Sequence, residues 1–218
     1  MRQVWLIRHG ESAANAGLAT QDAAAIPLTA RGRAQAELVA RALPGPPDLL
    51  VSSSYVRAAD TAAPARARFP ESAHAEWPVH EFTYLAGGAG APSTVAERRP
   101  RVDAFWARAD PHHVDGEGAE SFVALLDRVE ALLVLLGEFG GKFVAVYTHG
   151  LFMRTVLWSL VFGRVPRHPE GMRRFRLFAT TISVPNAAIL RLYEHAPGAF
   201  SVGAVDTSHL PAELVTGE

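Results

Sequence analysis

Arginine, histidine, glycine and glutamate follow one another at Arg8-His9-Gly10-Glu11, immediately after the apolar run Val4–Ile7. A buried strand that ends this way delivers polar side chains to the rim of a sheet. There a neutral imidazole nitrogen can attack phosphorus in line and form a phosphohistidine, dividing one hard displacement into two easier ones. The guanidinium of Arg8 can hold phosphate oxygens in a planar fork. Adjacent positive charge favours the unprotonated ring that the attack needs. Three further places complete the constellation. Arg57 lies just past a second apolar segment, where it can point back over the rim and where helix amides near Ser53–Tyr55 would add to the positive field. His149, in Thr148-His149-Gly150, ends another apolar run. Its ring can donate to a phosphate oxygen, most strongly when protonated, and Gly150 allows close backbone approach. Glu81, in Val79-His80-Glu81-Phe82-Thr83-Tyr84, is the candidate acid, with Glu117 and Glu120 as runners-up. It would protonate a leaving alkoxide and afterwards activate water.

These residues need strand ends to carry them, and the chain supplies strands alternating with helices. Val4–Arg8 reads as the first strand, followed by a helix from about Ala30 to Leu43 with Thr29 as its cap and Pro44-Gly45 as its stop. Asp48–Ser53 is the second strand and Tyr55 to about Arg68 the second helix. A short strand near Glu76–His80 is expected to end at Glu81. Thr94 to Glu97 has capping-box spacing and opens a helix to about Arg108, with Pro100 early in it. Phe122, Leu125, Leu126, Val129, Leu132, Leu133 and Leu136 recur at helical spacing. Lys142–Thr148 is an almost wholly apolar strand, as in a doubly covered sheet. Leu151–Phe162 is a buried helix. Ala187–Tyr193 and Phe200–Val205 alternate like a closing hairpin or edge pair. This order predicts an α/β fold: a three-layer α/β/α sandwich with a mostly parallel central sheet, its ligand at the carboxyl ends of the strands. Residues 1–218 read as one domain, with a lid-like insertion around 82–117 that overhangs the site.

Composition narrows the partners. The chain has 218 residues, 49% of them apolar, and a formal net charge of -1, which argues against a general nucleic-acid binder. Without cysteine, disulfides, thiolate metal sites and cysteine nucleophiles are excluded. The first strand starts at once, leaving no room for a signal peptide, and no tract reaches the roughly 20 apolar residues that span a bilayer. The expected setting is cytoplasmic, with a small phosphorylated substrate, no nucleic acid and no membrane; a homo-oligomer stays open. Gly87-Gly88-Ala89-Gly90 lacks the lysine and the preceding strand of a nucleotide loop. His112-His113 has no partner at metal-ligand spacing and reads as a solvated loop. Arg98-Arg99-Pro100-Arg101 reads as a solvated face, or as cations that greet an anionic substrate above the pocket.

The run from Leu6 to Ser12 with Asn15 resembles the signature of the histidine phosphatase superfamily, in its phosphoglycerate mutase-like branch. Leu28-Thr29 with Gly32 and Gln35-Ala36 resembles the next element of that family. Ser53 with Arg57, Thr61 and Ala62 resembles the one after, and Thr148-His149-Gly150 the last. Glu120-Ser121 with Arg128 is also similar. The resemblance implies that His9 is the phosphorylated residue, that Arg8, Arg57 and His149 complete the phosphate pocket, and that Asn15 and the loop near Thr20-Gln21 line the substrate side. It implies no metal and no organic cofactor. Glycolytic mutases of the family are longer and follow the acid with an Arg-His-Tyr-Gly type of segment, where this chain has Phe82-Thr83-Tyr84. The expectation is therefore a phosphatase acting on a small phosphomonoester. The alternatives are a phosphate-binding or regulatory module with little turnover and, third, a mutase.

Overall fold

In the computed structural model, which describes residues 2–87 and 91–217, strands β1 (Arg2–Arg8), β2 (Leu49–Ser52), β3 (Ala73–Glu76), β4 (Phe143–Thr148), β5 (Ile189–Ala196) and β6 (Ala199–Asp206) form one sheet in the order β3-β2-β4-β1-β5-β6. β3, β2, β4 and β1 pair in parallel, while β5 and β6 are the antiparallel edge hairpin. Alternation along each strand divides the core. Val4 and Leu6, Leu49 and Val51, and Val144 and Val146 face one layer, while Trp5, Ile7, Leu50, Ala145 and Tyr147 face the other.

The first layer holds α3 (Val95–Arg108), α4 (Phe122–Glu138), α5 (Gly150–Phe162) and α6 (Pro169–Thr181). Its packing comes from Phe105, Trp106, the leucines of α4, Phe152, Met172 and Phe175. The opposite layer holds α1 (Ala30–Ala42) and α2 (Val56–Arg68), whose small Ala40, Ala62 and Ala65 let both helices lie close to the sheet. Thr29 caps α1 and the capping box of Thr94 and Glu97 opens α3. Pro100 stays inside α3. No helix among the described residues is long and apolar enough to cross a membrane.

Two expectations change. The third strand is Ala73–Glu76 rather than Glu76–His80, because the ladder with β2 stops at Ser52↔Glu76 and Pro78 has no amide to extend it. Glu81 is thus carried by extended coil and not by a strand end. The sequence reading also passed over α6, although Pro169 at its first turn, the His168 cap and the Met172, Phe175, Ala179 spacing all mark a helix. The insertion around 82–117 carries the expected helix. α3 sends Phe105 and Trp106 into the main core, and Gly88 to Gly90 of the glycine-rich stretch lie outside the described residues.

Candidate active site

Register brings the two histidines together. β1 and β4 are parallel with Arg8 opposite Thr148, and the His9 amide continues the ladder to the Thr148 carbonyl at 2.9 Å. The next residue on each strand is a histidine, and the rings lie 5.1 Å apart, tilted by 57°. β2 ends beside β4 in the same way. The Ser53 amide reaches the Tyr147 carbonyl at 3.0 Å, which sets the Ser53 hydroxyl 2.9 Å from His149 Nε2. The expectation that Arg8, His9, Arg57 and His149 meet at a sheet rim describes what the structure assembles; all four are buried.

The partners of His9 fix its tautomer. Arg57 Nε–H donates to His9 Nε2 at 3.1 Å, and His9 Nδ1 lies 2.7 Å from the Gly10 carbonyl, which can only accept. The ring proton is therefore on Nδ1 and the lone pair on Nε2. Burial holds His9 well below the usual histidine range, and the charges of Arg57 and Arg8 push it further the same way. His149 is lowered too, by burial first and then by Arg57. The protonated state, in which the ring would donate most strongly, is thus disfavoured beside two guanidinium groups. A neutral ring still carries one N–H to donate. The Ser53 hydroxyl accepts from the Tyr55 amide at 3.1 Å and finds in His149 Nε2 an acceptor for its own proton, which leaves the ring N–H on Nδ1. The Tyr55 amide is thereby spent on Ser53 and adds nothing to an anion-binding field.

His149 Nδ1 and Arg8 Nε are buried without a hydrogen-bond partner. Other buried side chains are orphaned too, but these two stand at the sheet rim beside His9, where their N–H groups are available to a ligand. The rest of Arg8 is held firmly. Its Nη1 donates to the Val184 carbonyl and, at 2.7 Å, to that of Gly217. Burial lowers its pKa to about 10, so it stays charged at neutral pH. A Cβ on Gly150 would sit 3.3 Å from Arg8 Nε and 3.1 Å from Arg154 Nη1, which is why that position is small.

The motifs around the histidines hold the loop that carries His9. A Cβ on Gly10 would meet the Gly32 carbonyl at 2.4 Å, and one on Gly32 would meet the Glu11 carbonyl at 2.0 Å, so the start of α1 locks against the Gly10-Glu11 backbone. Gln35 accepts from the Glu11 amide at 2.6 Å, and Thr29 bonds the Glu11 carboxylate at 2.7 Å. Thr61 accepts from the Gly10 amide at 3.0 Å. Asn15 belongs to this scaffold. Its Oδ1 accepts from the Ser12 hydroxyl at 2.8 Å and from Asn186 Nδ2 at 3.1 Å, and the structure does not bring it to the cavity wall.

Beyond Arg57 and Glu81 opens a cavity of about 450 Å³, lined by Thr20 and Gln21 as expected and by much of the insertion. Glu81 stands between cavity and sheet rim. Its Oε1 accepts from the amides of Phe82 at 2.9 Å and Phe152 at 3.2 Å, and its Oε2 from Leu151 at 3.2 Å, so it rests on the first turn of α5. The coil that carries it is clamped from behind. Arg128 donates to the carbonyls of Pro78 (2.8 Å) and His80 (2.9 Å) and makes a two-pronged pair with Glu120, whose Oε1 also accepts from the Thr83 amide at 3.2 Å. Glu120 is thus occupied as a brace and Glu117 is exposed in a loop away from the cavity, which sets both runners-up aside.

Sequence reasoning missed Tyr55. Its ring meets His149 edge-on at 5.3 Å, stacks on His80 at 5.4 Å and carries Arg57 at 5.0 Å, while its hydroxyl is bonded to Thr83 at 2.6 Å. Its place at a strand-to-helix junction between Ser53 and Arg57 was the available signal. Asn186, which reaches the His9 carbonyl at 3.3 Å from the far end of the chain, offered none. Arg98 and Arg101 do line the cavity, but their donors are turned onto the protein. Arg98 binds the Ser93 and Thr20 carbonyls, and Arg101 pairs with Asp115 at 2.7 Å. Arg99 pairs with Asp103 on the surface. Among the described residues no group of three or more His, Cys, Asp or Glu side chains could hold a metal ion.

A lone-pair imidazole at a sheet rim, flanked by two arginines and a second imidazole with an unspent N–H, is a cradle for a tetrahedral anion in a phosphoglycerate mutase-like α/β fold. The chain belongs to the histidine phosphatase superfamily, branch 1, whose family model matches residues 4–189. Solved structures share the fold. A phosphoserine phosphatase from Entamoeba histolytica, in complex with 3-phosphoglyceric acid, is 22% identical with a TM-score of 0.69 over 97% of this chain and 100% of that one. A putative alpha-ribazole-5'-P phosphatase from Escherichia coli is 23% identical, with a TM-score of 0.69 over 95% and 98% of the two chains. A mycobacterial glucosyl-3-phosphoglycerate phosphatase complexed with VO3 is 24% identical, with a TM-score of 0.70 over 95% and 100%. No curated protein matches the sequence.

Proposed function

We propose that this protein is a metal-independent phosphatase that hydrolyses a small phosphomonoester through a phosphohistidine at His9. The observation that carries the reading is the pairing of a neutral, buried His9, its lone pair on Nε2, with the orphaned donors His149 Nδ1 and Arg8 Nε. In the first step the phosphoryl group of the ester binds among Arg8, Arg57 and His149, and Arg57 exchanges its bond to Nε2 for phosphate oxygens. Nε2 attacks phosphorus while the ester P–O bond breaks, and Glu81, protonated, gives its proton to the departing oxygen. In the second step the Glu81 carboxylate takes a proton from water, whose oxygen attacks phosphorus as the N–P bond breaks. Inorganic phosphate leaves and His9 recovers its lone pair. Charge spreads over the phosphoryl oxygens in both steps, so preorganised donors supply most of the acceleration. The cytoplasm is taken as the compartment.

The test is a panel of phosphoesters given to the wild type, His9→Ala and Glu81→Gln, with acid quenching to trap acid-labile phosphate on the protein. His9-dependent phosphate release with trapped phosphohistidine is expected. Equal release by wild type and His9→Ala would overturn the mechanism. Tight phosphate binding without turnover would favour a binding module instead.

A further inference from the structure

The cavity beyond Glu81 has a chemical character of its own. Its walls include Ile26, Tyr55, Tyr84, Leu85, Val95 and Val102, drawn from the loop after β1, the start of α2, the coil after Glu81 and one face of α3. The Tyr55 hydroxyl is already bonded to Thr83, and the Tyr84 ring packs on Phe105 with ring centres 4.7 Å apart. Val95 is 54% exposed on the face of α3 that closes this space, so its apolar surface is open to the cavity. The cationic side chains at the far wall point their donors elsewhere. Arg98 joins the loop after β1 to the segment before α3, where Thr20 and Ser93 exchange backbone bonds of 2.9 and 3.0 Å. Arg101 is neutralised by Asp115.

A carboxylate on the leaving group would therefore lose its hydration on entering with no uncommitted cation at the far wall to meet it, and a sugar would find only the few polar side chains of Thr20, Gln21, Thr83 and Ser93, whereas an apolar group would shed water from its own surface and from the apolar walls. A volume of about 450 Å³ lies in the range of small-molecule pockets. Resting on the phosphatase reading above, we infer that the substrate class is a phosphomonoester of a neutral, predominantly apolar alcohol or phenol, up to at least the size of a fused bicyclic aromatic. The phosphate sits at the sheet rim and the apolar group fills the chamber. Arg98 and Arg101 shape the chamber and do not read a second anion.

Binding and turnover test this separately. Calorimetry on the full chain carrying His9→Ala compares 2-naphthyl phosphate, glycerol 3-phosphate, 3-phosphoglycerate and inorganic phosphate. The naphthyl ester is expected to bind at least tenfold tighter than either aliphatic ester. Val95→Asp added to that chain should erase most of this advantage relative to inorganic phosphate, and Val95→Thr, the isosteric change that least disturbs folding, should erase part of it. Equal affinities, or tighter binding of the carboxylate-bearing ester, would overturn the inference. The same esters given to the wild type decide the other question. A naphthyl preference in binding without His9-dependent phosphate release would sink the phosphatase reading and leave the chamber's preference standing. Release that is fastest with 3-phosphoglycerate would do the reverse.

Discussion

Around His9 the polar side chains are buried and individually tethered, while a short step past Arg57 the cavity is walled by rings and aliphatic groups from four separate stretches of chain. The first region is set by strand register. His9, His149 and Ser53 each follow directly on a parallel strand, so their separations are inherited from the ladder. The second has no such frame. It depends on how the coil after Glu81 and helix α3 pack, and on one two-residue bridge between Thr20 and Ser93. The contrast suggests a division of labour in which a rigid end handles phosphorus and an adaptable end chooses what phosphorus is attached to.

Substitutions at the rigid end should cost the most and should be blind to the leaving group. His9→Ala is expected to lower kcat by at least about 10³-fold on every ester, since the group that divides the reaction is gone. Arg57→Gln should cost about 10²–10³-fold, the usual loss for one preorganised donor to a transition-state oxyanion. Steady-state kinetics on an aryl and an alkyl phosphate check both. A loss confined to one of the two would break the proposed separation of the regions.

Glu81 sits on the boundary and should behave accordingly. Glu81→Gln is expected to slow an alkyl phosphate by about 10²–10⁴-fold, the range of general acid catalysis, because an alkoxide cannot leave unprotonated. A 4-nitrophenyl ester, whose phenolate leaves unaided, should be slowed far less in its first step. Arg128→Gln tests the clamp behind Glu81. Releasing the carbonyls of Pro78 and His80 should give the same split between substrates at about tenfold. Arg128→Lys should recover little, since a lysine cannot make the two-pronged pair with Glu120. If Arg128→Gln slowed both esters equally, the clamp would be only structural.

The two ends were not equally legible. Short motifs spell the rigid end because its geometry is local: a residue directly after a strand must appear at the rim, and Gly32, Thr29 and Gln35 share one face of one helix against Gly10-Glu11. The family resemblance puts Asn15 on the substrate side, yet its carbonyl is consumed by Ser12 and Asn186. The protonation of His149 could not be read either, since it depends on total burial among cations that only the fold assembles. The chamber was least visible. Arg98 and Arg101 read in the sequence as a solvated face or as cations that greet an anionic substrate, and only the fold shows their donors turned onto Ser93, Thr20 and Asp115.

The comparison also has a thermodynamic edge, smaller than the kinetic ones. His9 and His149 both titrate far below the unfolded value of about 6.5, chiefly because they are buried. Below that pH the unfolded chain takes up protons that the folded chain refuses, so stability is full above about pH 6.5 and falls as the pH drops. Each such histidine should remove about 1 kcal/mol of stability between pH 6 and pH 5. His80, lowered to about 4 by burial and Arg128, adds to the same trend. Urea unfolding at pH 7, 6 and 5 measures the slope. His149→Asn should lower stability at pH 7 yet flatten the decline toward pH 5 by the share of one histidine. Val95→Thr in the chamber should shift all three points by the same amount, because no imidazole lines that wall. Parallel pH profiles for wild type and His149→Asn would mean that the rim does not hold its second imidazole neutral, and the assignment of its N–H as a ready donor to phosphate would fall with it.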